Sequence, residues 1–128
     1  MTRYLALLPA IALAAAPVAS TAAAPGGMTA AEFLAKADGL KAKGPMALFS
    51  GDIGKLKAEG TAAGQAYKAR LRADKAAGRS PHSCPPASAS LTPRQLLAHL
   101  RTYSPAEQAS TTMTSAVADY FAKIYPCR

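Results

Sequence analysis

The sequence predicts an all-α protein: a small bundle of about five helices closed by one disulfide bond. Three observations lead to this prediction. Capping signals precede several segments of helix-forming residues, and within those segments apolar side chains recur at helical spacing. No stretch gives a convincing strand pattern. The chain also has only two cysteines, which allow a single intramolecular bridge.

The N-terminus has the three parts of a secretory signal peptide. Arg3 supplies a positive charge, and the run from Tyr4 to Val18 is uncharged and apolar. Small residues follow at positions 19–24, where cleavage is expected, with Ala22 the favoured last residue. The apolar run of about 15 residues is shorter than the roughly 20 that a membrane span needs. We therefore expect residues 1–22 to be removed, leaving a single periplasmic or secreted domain of residues 23–128 with no transmembrane anchor.

The composition predicts a modest core and a basic surface. Hydrophobic residues make up 50% of the 128, but there are only three Phe, five Tyr and no Trp. Large side chains for the core are therefore scarce, and any cross-link should matter for stability. The net charge of +8 becomes +7 once Arg3 is removed with the signal peptide. Export makes nucleic acid a poor partner for these charges.

Three helices are predicted in the first half of the mature chain. Thr29 and Glu32 form a capping box for the first, which ends near Lys43 at Gly44. Pro45 suits the start of the second, and the third runs from about Thr61 to Ala77. Their apolar stripes comprise Phe33, Leu34, Ala37 and Leu40; Met46, Phe49, Ile53 and Leu56; and Ala63, Tyr67 and Leu71.

Two more helices are predicted after a proline-rich loop at residues 80–91. A short helix is predicted by the capping signal of Thr92, Pro93 and Gln95. The same signal recurs at Ser104, Pro105 and Glu107 and predicts a long last helix. Pro126 ends the last helix. The apolar stripes are Leu96, Leu97 and Leu100 in the first, and Met113, Val117, Tyr120, Phe121 and Ile124 in the second.

The two cysteines predict a disulfide between Cys84 and Cys127, because an even pair in an exported protein is most simply a bridge. It would close a loop of about 44 residues and stabilise the fold by roughly 4 kcal/mol. The alternatives are a metal site with His82 and a reactive thiol. Only His99 could add a further histidine ligand, which is too few for a closed zinc site, so no metal is expected.

The sharpest candidate for a binding surface is a basic face on the third helix. Lys68, Arg72, Lys75 and Arg79 recur at intervals of four, three and four residues. The alternatives are a face that only keeps the protein soluble, contact with anionic lipid, which a narrow apolar edge without Trp does not favour, and contact with an acidic protein surface. No phosphate-binding loop, HExxH or GxSxG motif is present, and the acidic residues form no evident acid/base pair. We expect neither an enzyme nor a cofactor.

Four stretches of the mature chain carry a family resemblance. They are Thr29-Ala30-Ala31-Glu32-Phe33-Leu34, Ser83-Cys84-Pro85-Pro86, Gln95-Leu96-Leu97 and Tyr125-Pro126-Cys127. In layout they resemble the Rap/Tai family of bacterial immunity proteins, which neutralise type VI secreted amidase toxins. The resemblance implies an exported, all-helical, often homodimeric protein that binds a peptidoglycan amidase at its active-site cleft.

The chain departs from that family in its cysteines. Members commonly carry one more in the first helix and one near a Gly-Tyr stretch in the second, where this chain reads Ala35-Lys36-Ala37-Asp38 and Phe49-Ser50-Gly51-Asp52. Only the Cys84–Cys127 bridge can carry over. The resemblance thus implies an immunity protein that inhibits an amidase, and the rival hypothesis is an envelope structural or stress protein with the same scaffold and no toxin.

Overall fold

The computed structural model describes residues 24–128, so the predicted signal peptide lies outside the described residues. The described chain forms five α-helices and one short 3₁₀ helix, with no strand beyond an isolated bridge between Thr29 and Thr112. The all-α prediction is confirmed. The elements are α1 (Ala30–Lys43), the 3₁₀ helix (Gly44–Phe49), α2 (Asp52–Ala76), α3 (Pro93–Leu100), α4 (Pro105–Ser110) and α5 (Met113–Ile124). Over residues 24–128, no helix has both the length and the apolar character that crossing a membrane requires.

The core is small and lies mainly between α2 and α5, with α1 and α3 against it. Twelve apolar residues are buried, but four of them are alanines, as the composition predicts. The largest apolar side chains that are fully buried are Tyr67, Leu100, Met113 and Val117. Ile124, which the periodicity assigns to the core stripe of the last helix, is 48% exposed, so that assignment is wrong.

Local capping begins three of the helices where the sequence predicts. The Thr29 hydroxyl accepts a hydrogen bond from the Glu32 backbone N–H, and the Glu32 carboxylate accepts one from the Thr29 N–H. The same reciprocal pairs join Thr92 to Gln95 and Ser104 to Glu107. Each cap satisfies backbone donors that the first helical turn would leave unpaired.

The second and third predicted helices are wrong in their boundaries. The 3₁₀ helix ends at Phe49, and a single helix of 25 residues, α2, then continues through the predicted break before Thr61. Two contacts favour continuity there. The Glu59 carboxylate is buried and accepts the Met28 N–H at 2.7 Å, and Gly60 lies against the Leu96 side chain. Tertiary contacts thus compensate for the weak helix propensity of Gly60.

The last predicted helix is also wrong, because it is interrupted after Ser110. Thr111 and Thr112 are extended, and Thr112 then caps α5 by accepting the Ser115 N–H. The extended residues bond to the chain before α1: Ala30 N–H donates to the Thr111 carbonyl, and Met113 N–H donates to the Met28 carbonyl. The capping signal at Ser104 predicts one uninterrupted helix, but this pairing with distant residues decides the backbone conformation.

The predicted disulfide between Cys84 and Cys127 is present, with the two Cα atoms 5.0 Å apart. The Cys84 N–H also donates to the Tyr125 carbonyl at 2.8 Å. The proline-rich loop is therefore fastened to the end of α5 by a covalent bond and a backbone hydrogen bond. Since both sulfurs are in the bridge, the metal-site and reactive-thiol alternatives for these cysteines are removed.

Candidate partner-binding surfaces

The predicted basic face lies on the second half of α2 and just beyond its end. Helix α2 buries only Glu59, Ala63 and Tyr67, which lie along one edge at helical spacing. The rest of its surface is half-buried or exposed. The four predicted contact residues are all exposed, namely Lys68, Arg72, Lys75 and Arg79.

Most of the positive charge on this segment lacks a nearby anion. Residues 61–79 contain five Lys and Arg but a single acid, Asp74. Arg79 takes up that acid, because its Nη2 and Nε lie 2.8 and 3.0 Å from the Asp74 Oδ1. Lys68, Arg72 and Lys75 form no ion pair within the described chain. Their charges are therefore available to an external anion.

The structure divides the four residues between two shallow depressions. Lys68 and Arg72 line one of about 610 Å³ together with Ala62, Gln65, Ala66 and Ala69. Lys75 and Arg79 border another of about 400 Å³, between the end of α2 and the disulfide loop. Cations above small alanine side chains can approach a partner's carboxylates closely, and arginine can bind a carboxylate through two hydrogen bonds.

A second candidate surface, which the sequence pattern did not predict, is apolar. Met46, Leu48 and Phe49 lie on the 3₁₀ helix with 65%, 79% and 84% of their side chains exposed, and we call these three residues the apolar tip. The spacing predicts one apolar helical stripe of Met46, Phe49, Ile53 and Leu56, but only Leu56 packs against the core, and Ile53 is exposed like the tip residues.

A local signal could have revealed the apolar tip. Gly44-Pro45 before it and Ser50-Gly51 after it confine the segment to four residues, about one helical turn. A segment so short forms a 3₁₀ turn with three residues per turn, so spacing based on 3.6 residues does not identify a buried face. The Gly44 φ of +55° also marks a break in the helical backbone at the start of this segment.

Hydrogen bonds among His99, Tyr103 and Asp119 join α3 to α5. Tyr103 donates its hydroxyl proton to Asp119 Oδ2 at 2.7 Å, and His99 Nε2 lies 3.0 Å from the same hydroxyl oxygen. Because the only hydroxyl proton goes to Asp119, Nε2 must be the donor towards Tyr103. Burial lowers the pKa of His99, and the Ala116 carbonyl and Asp119 oppose this effect. The histidine is a structural link between the helices.

We expect acid to weaken the fold through His99. Its folded-state pKa lies below the ordinary value of 6.5, so the unfolded chain binds a proton first as the pH falls. The contribution of neutral His99 is complete above about pH 6.5 and is lost as the pH falls from there through the lowered pKa. Urea unfolding at pH 8 to 5 should show this loss, and His99→Gln should reduce it. Parallel pH profiles for the two proteins would contradict the expectation.

The disulfide loop is held to α2 by a second polar cluster. The Tyr67 hydroxyl is hydrogen-bonded to the Ser83 hydroxyl and lies 3.0 Å from His82 Nδ1. Ser83 is only 1% exposed, so its hydroxyl faces the protein interior. Among residues 24–128, no group of three or more His, Cys, Asp or Glu is arranged to hold a metal ion. The cluster anchors the loop beside the basic face.

Comparison of this chain with protein-family models, curated proteins and solved structures gives no match. The described chain is a small disulfide-linked helical domain with two exposed candidate surfaces, one basic and one apolar.

Proposed function

We propose that this protein is an exported binding protein of the immunity type, which inhibits a secreted peptidoglycan amidase by occluding its active site. The observation that carries the binding role is the basic face, where Lys68, Arg72 and Lys75 present unpaired charges on the exposed side of α2. The amidase as partner and the export of the chain follow from the sequence resemblance and the signal-peptide pattern.

The chemistry of the basic face supports an acidic protein surface as the partner. Lysine and arginine side chains keep their charge at neutral pH, so this face can attract carboxylates and is unsuited to proton transfer. Complementary charges of this kind accelerate association and select the partner. The nearby disulfide and the Tyr67–Ser83 hydrogen bond limit motion of the loop that borders the face, so little ordering is required on binding.

The experiment is capture followed by charge reversal. The oxidised, processed protein is immobilised, and proteins from the envelope and secreted fractions of the producing cells are captured and identified. A stoichiometric amidase whose hydrolysis of peptidoglycan stops on binding is the expected result. If the folded protein retains no specific protein, the envelope structural or stress role replaces this proposal.

Charge reversal then tests the surface. Replacing Lys68, Arg72 and Lys75 by Glu should raise the dissociation constant by about tenfold or more, because attraction becomes repulsion. The matched control is Lys41→Glu, Lys43→Glu and Lys57→Glu, which changes the net charge by the same amount elsewhere on the protein. If the first variant binds as the unaltered protein does, the basic face serves solubility alone, and an equal loss in both triple variants would assign the effect to net charge and not to this face.

A further inference from the structure

The apolar tip is an unusual surface for a chain with so few large apolar residues. Met46, Leu48 and Phe49 lie on a six-residue 3₁₀ helix with no buried residue. Together they present on the order of 400 Å² of apolar side chain to solvent. Phe49 is one of only three phenylalanines in the sequence, and the other two, Phe33 and Phe121, are buried. Phe49 lies outside the core, and the structure shows no contribution of its side chain to folding.

Lysines border the apolar tip on both sides along the chain. Lys41 and Lys43 lie in the last turn of α1, and Lys55 and Lys57 lie in the first two turns of α2. The Lys43 Nζ donates to the Ser50 hydroxyl at 3.3 Å, which holds this cation at the end of the 3₁₀ helix.

The neighbouring acids do not cancel this charge. Asp52 is bound by both Lys36 and Lys55, at 3.5 and 3.7 Å, and Asp38 is bound by Arg101 at 2.6 Å. Residues 36–57 contain five lysines and only these two aspartates. An anion that approaches the tip therefore meets an excess of positive charge.

We propose that the apolar tip and its flanking lysines dock this protein on the surface of an anionic lipid bilayer. The three tip side chains enter the boundary between headgroups and acyl chains, and the lysine ammonium groups remain at the level of the lipid phosphates. Each lysine near an anionic surface adds to the attraction. Apolar side chains flanked by lysines on a short exposed segment suit this interface.

The same features disfavour a protein as the occupant of the tip. A stable protein interface buries about 800 Å² on each partner, roughly twice the apolar area of the tip. The residues around the tip would have to supply the remaining interface area, but they are rich in lysine, which is depleted in protein interfaces. A membrane requires only that a few side chains enter it, so the small area is sufficient.

The docking site is separate from the basic face. The nearest charges of the two sites are those of Lys57 and Lys68, which are 11 residues apart on α2 and therefore about 16 Å apart along the helix axis. A protein docked by its tip could therefore keep the basic face clear of the lipid and bind its partner there. The proposal does not depend on the identity of that partner.

The test measures binding of the exported, processed protein to vesicles of phosphatidylcholine with or without phosphatidylglycerol. We expect binding to the anionic vesicles, weak binding to the neutral ones, and a loss of binding at high salt. Leu48→Ser with Phe49→Ser should lower the partition coefficient by about thirtyfold, because the inserted area is lost. Ile124→Ser is the matched control, since it removes an exposed apolar side chain at the end of α5.

Two further measurements distinguish the tip from general electrostatic attraction and from self-association. Lys41→Glu, Lys43→Glu and Lys57→Glu should weaken vesicle binding by at least about tenfold, whereas reversal of Lys68, Arg72 and Lys75 should have a much smaller effect. Sedimentation should give a monomer whose mass is unchanged by the tip variant. The proposal is overturned if the tip variant binds vesicles as the unaltered protein does, or if both charge reversals weaken binding equally. It is also overturned if the unaltered protein is a dimer that does not bind lipid and the tip variant dissociates it. Circular dichroism checks that each variant is folded.

Discussion

Replacing Cys84 by serine is expected to lower the free energy of unfolding of the oxidised protein by up to about 4 kcal/mol. The bridge joins residues 43 positions apart and closes most of the C-terminal half of the described chain into one loop. Without it the unfolded chain gains the conformational freedom of that loop, which in the chain-entropy model corresponds to this magnitude. A domain of this size has a total stability of only about 5–15 kcal/mol, so the loss would be a large fraction of it.

Urea unfolding provides the measurement, with three samples that should agree. Cys84→Ser, Cys127→Ser and the unaltered protein with a reductant all lack the same bond, so they should have similar midpoints well below that of the oxidised protein. The double serine variant should be no less stable than either single variant. An oxidised protein that melts at the same temperature with and without a reductant would show that the bridge contributes no stability.

The helix starts could be predicted from the sequence because their causes are local. A Thr or Ser hydroxyl and a Glu or Gln three positions later are enough to cap α1, α3 and α4, and all three are found in the structure. The disulfide could be predicted because two cysteines allow only one intramolecular pairing. These features require no knowledge of the rest of the fold.

The helix boundaries that the sequence could not predict depend on distant residues. Thr111 and Thr112 leave the helical conformation because they pair with residues 28–30, more than 80 positions earlier. The same N-terminal segment constrains Gly26, whose φ is +89° and whose carbonyl accepts both the N–H and the hydroxyl of Thr114. A Cβ at Gly26 would lie 2.8 Å from the Thr114 Oγ1. Periodicity within one segment carries no information on such pairings.

The candidate surfaces also differ in how far the sequence could predict them. The exposure of Lys68, Arg72, Lys75 and Arg79 could be predicted, because the spacing of Ala63 and Tyr67 identifies the opposite edge of α2 as buried. Their division between two depressions depends on the path of the disulfide loop, which the spacing does not reveal. The apolar tip was missed because apolar residues at near-helical spacing were assigned to the core. Their exposure is set by the sharp connection between α1 and α2.

Tyr67→Ala is expected to lower the free energy of unfolding by about 3–5 kcal/mol, since it removes a large aromatic side chain from a small core. Tyr67 is 2% exposed, and its ring stacks on that of Phe121 with the centroids 5.5 Å apart. Few neighbours are large enough to fill the space. Urea unfolding measures the loss, and the matched variant Tyr67→Phe isolates the hydroxyl. That variant should cost about 1–3 kcal/mol, because the buried Ser83 loses its hydrogen-bond partner.

Combining Tyr67→Phe with Cys84→Ser distinguishes two ways in which the disulfide stabilises the protein. If the bridge acts only by restricting the unfolded chain, the two losses add, since the Tyr67–Ser83 hydrogen bond forms as before. If the bridge also holds the loop against α2, its loss frees Ser83 from Tyr67, and Tyr67→Phe then costs less in the serine background. We expect the second result, because Ser83 is adjacent to Cys84 and the Cys84 N–H is bonded to the Tyr125 carbonyl. Strict additivity within about 0.5 kcal/mol would contradict it, and would assign the stabilising effect of the disulfide to the unfolded state.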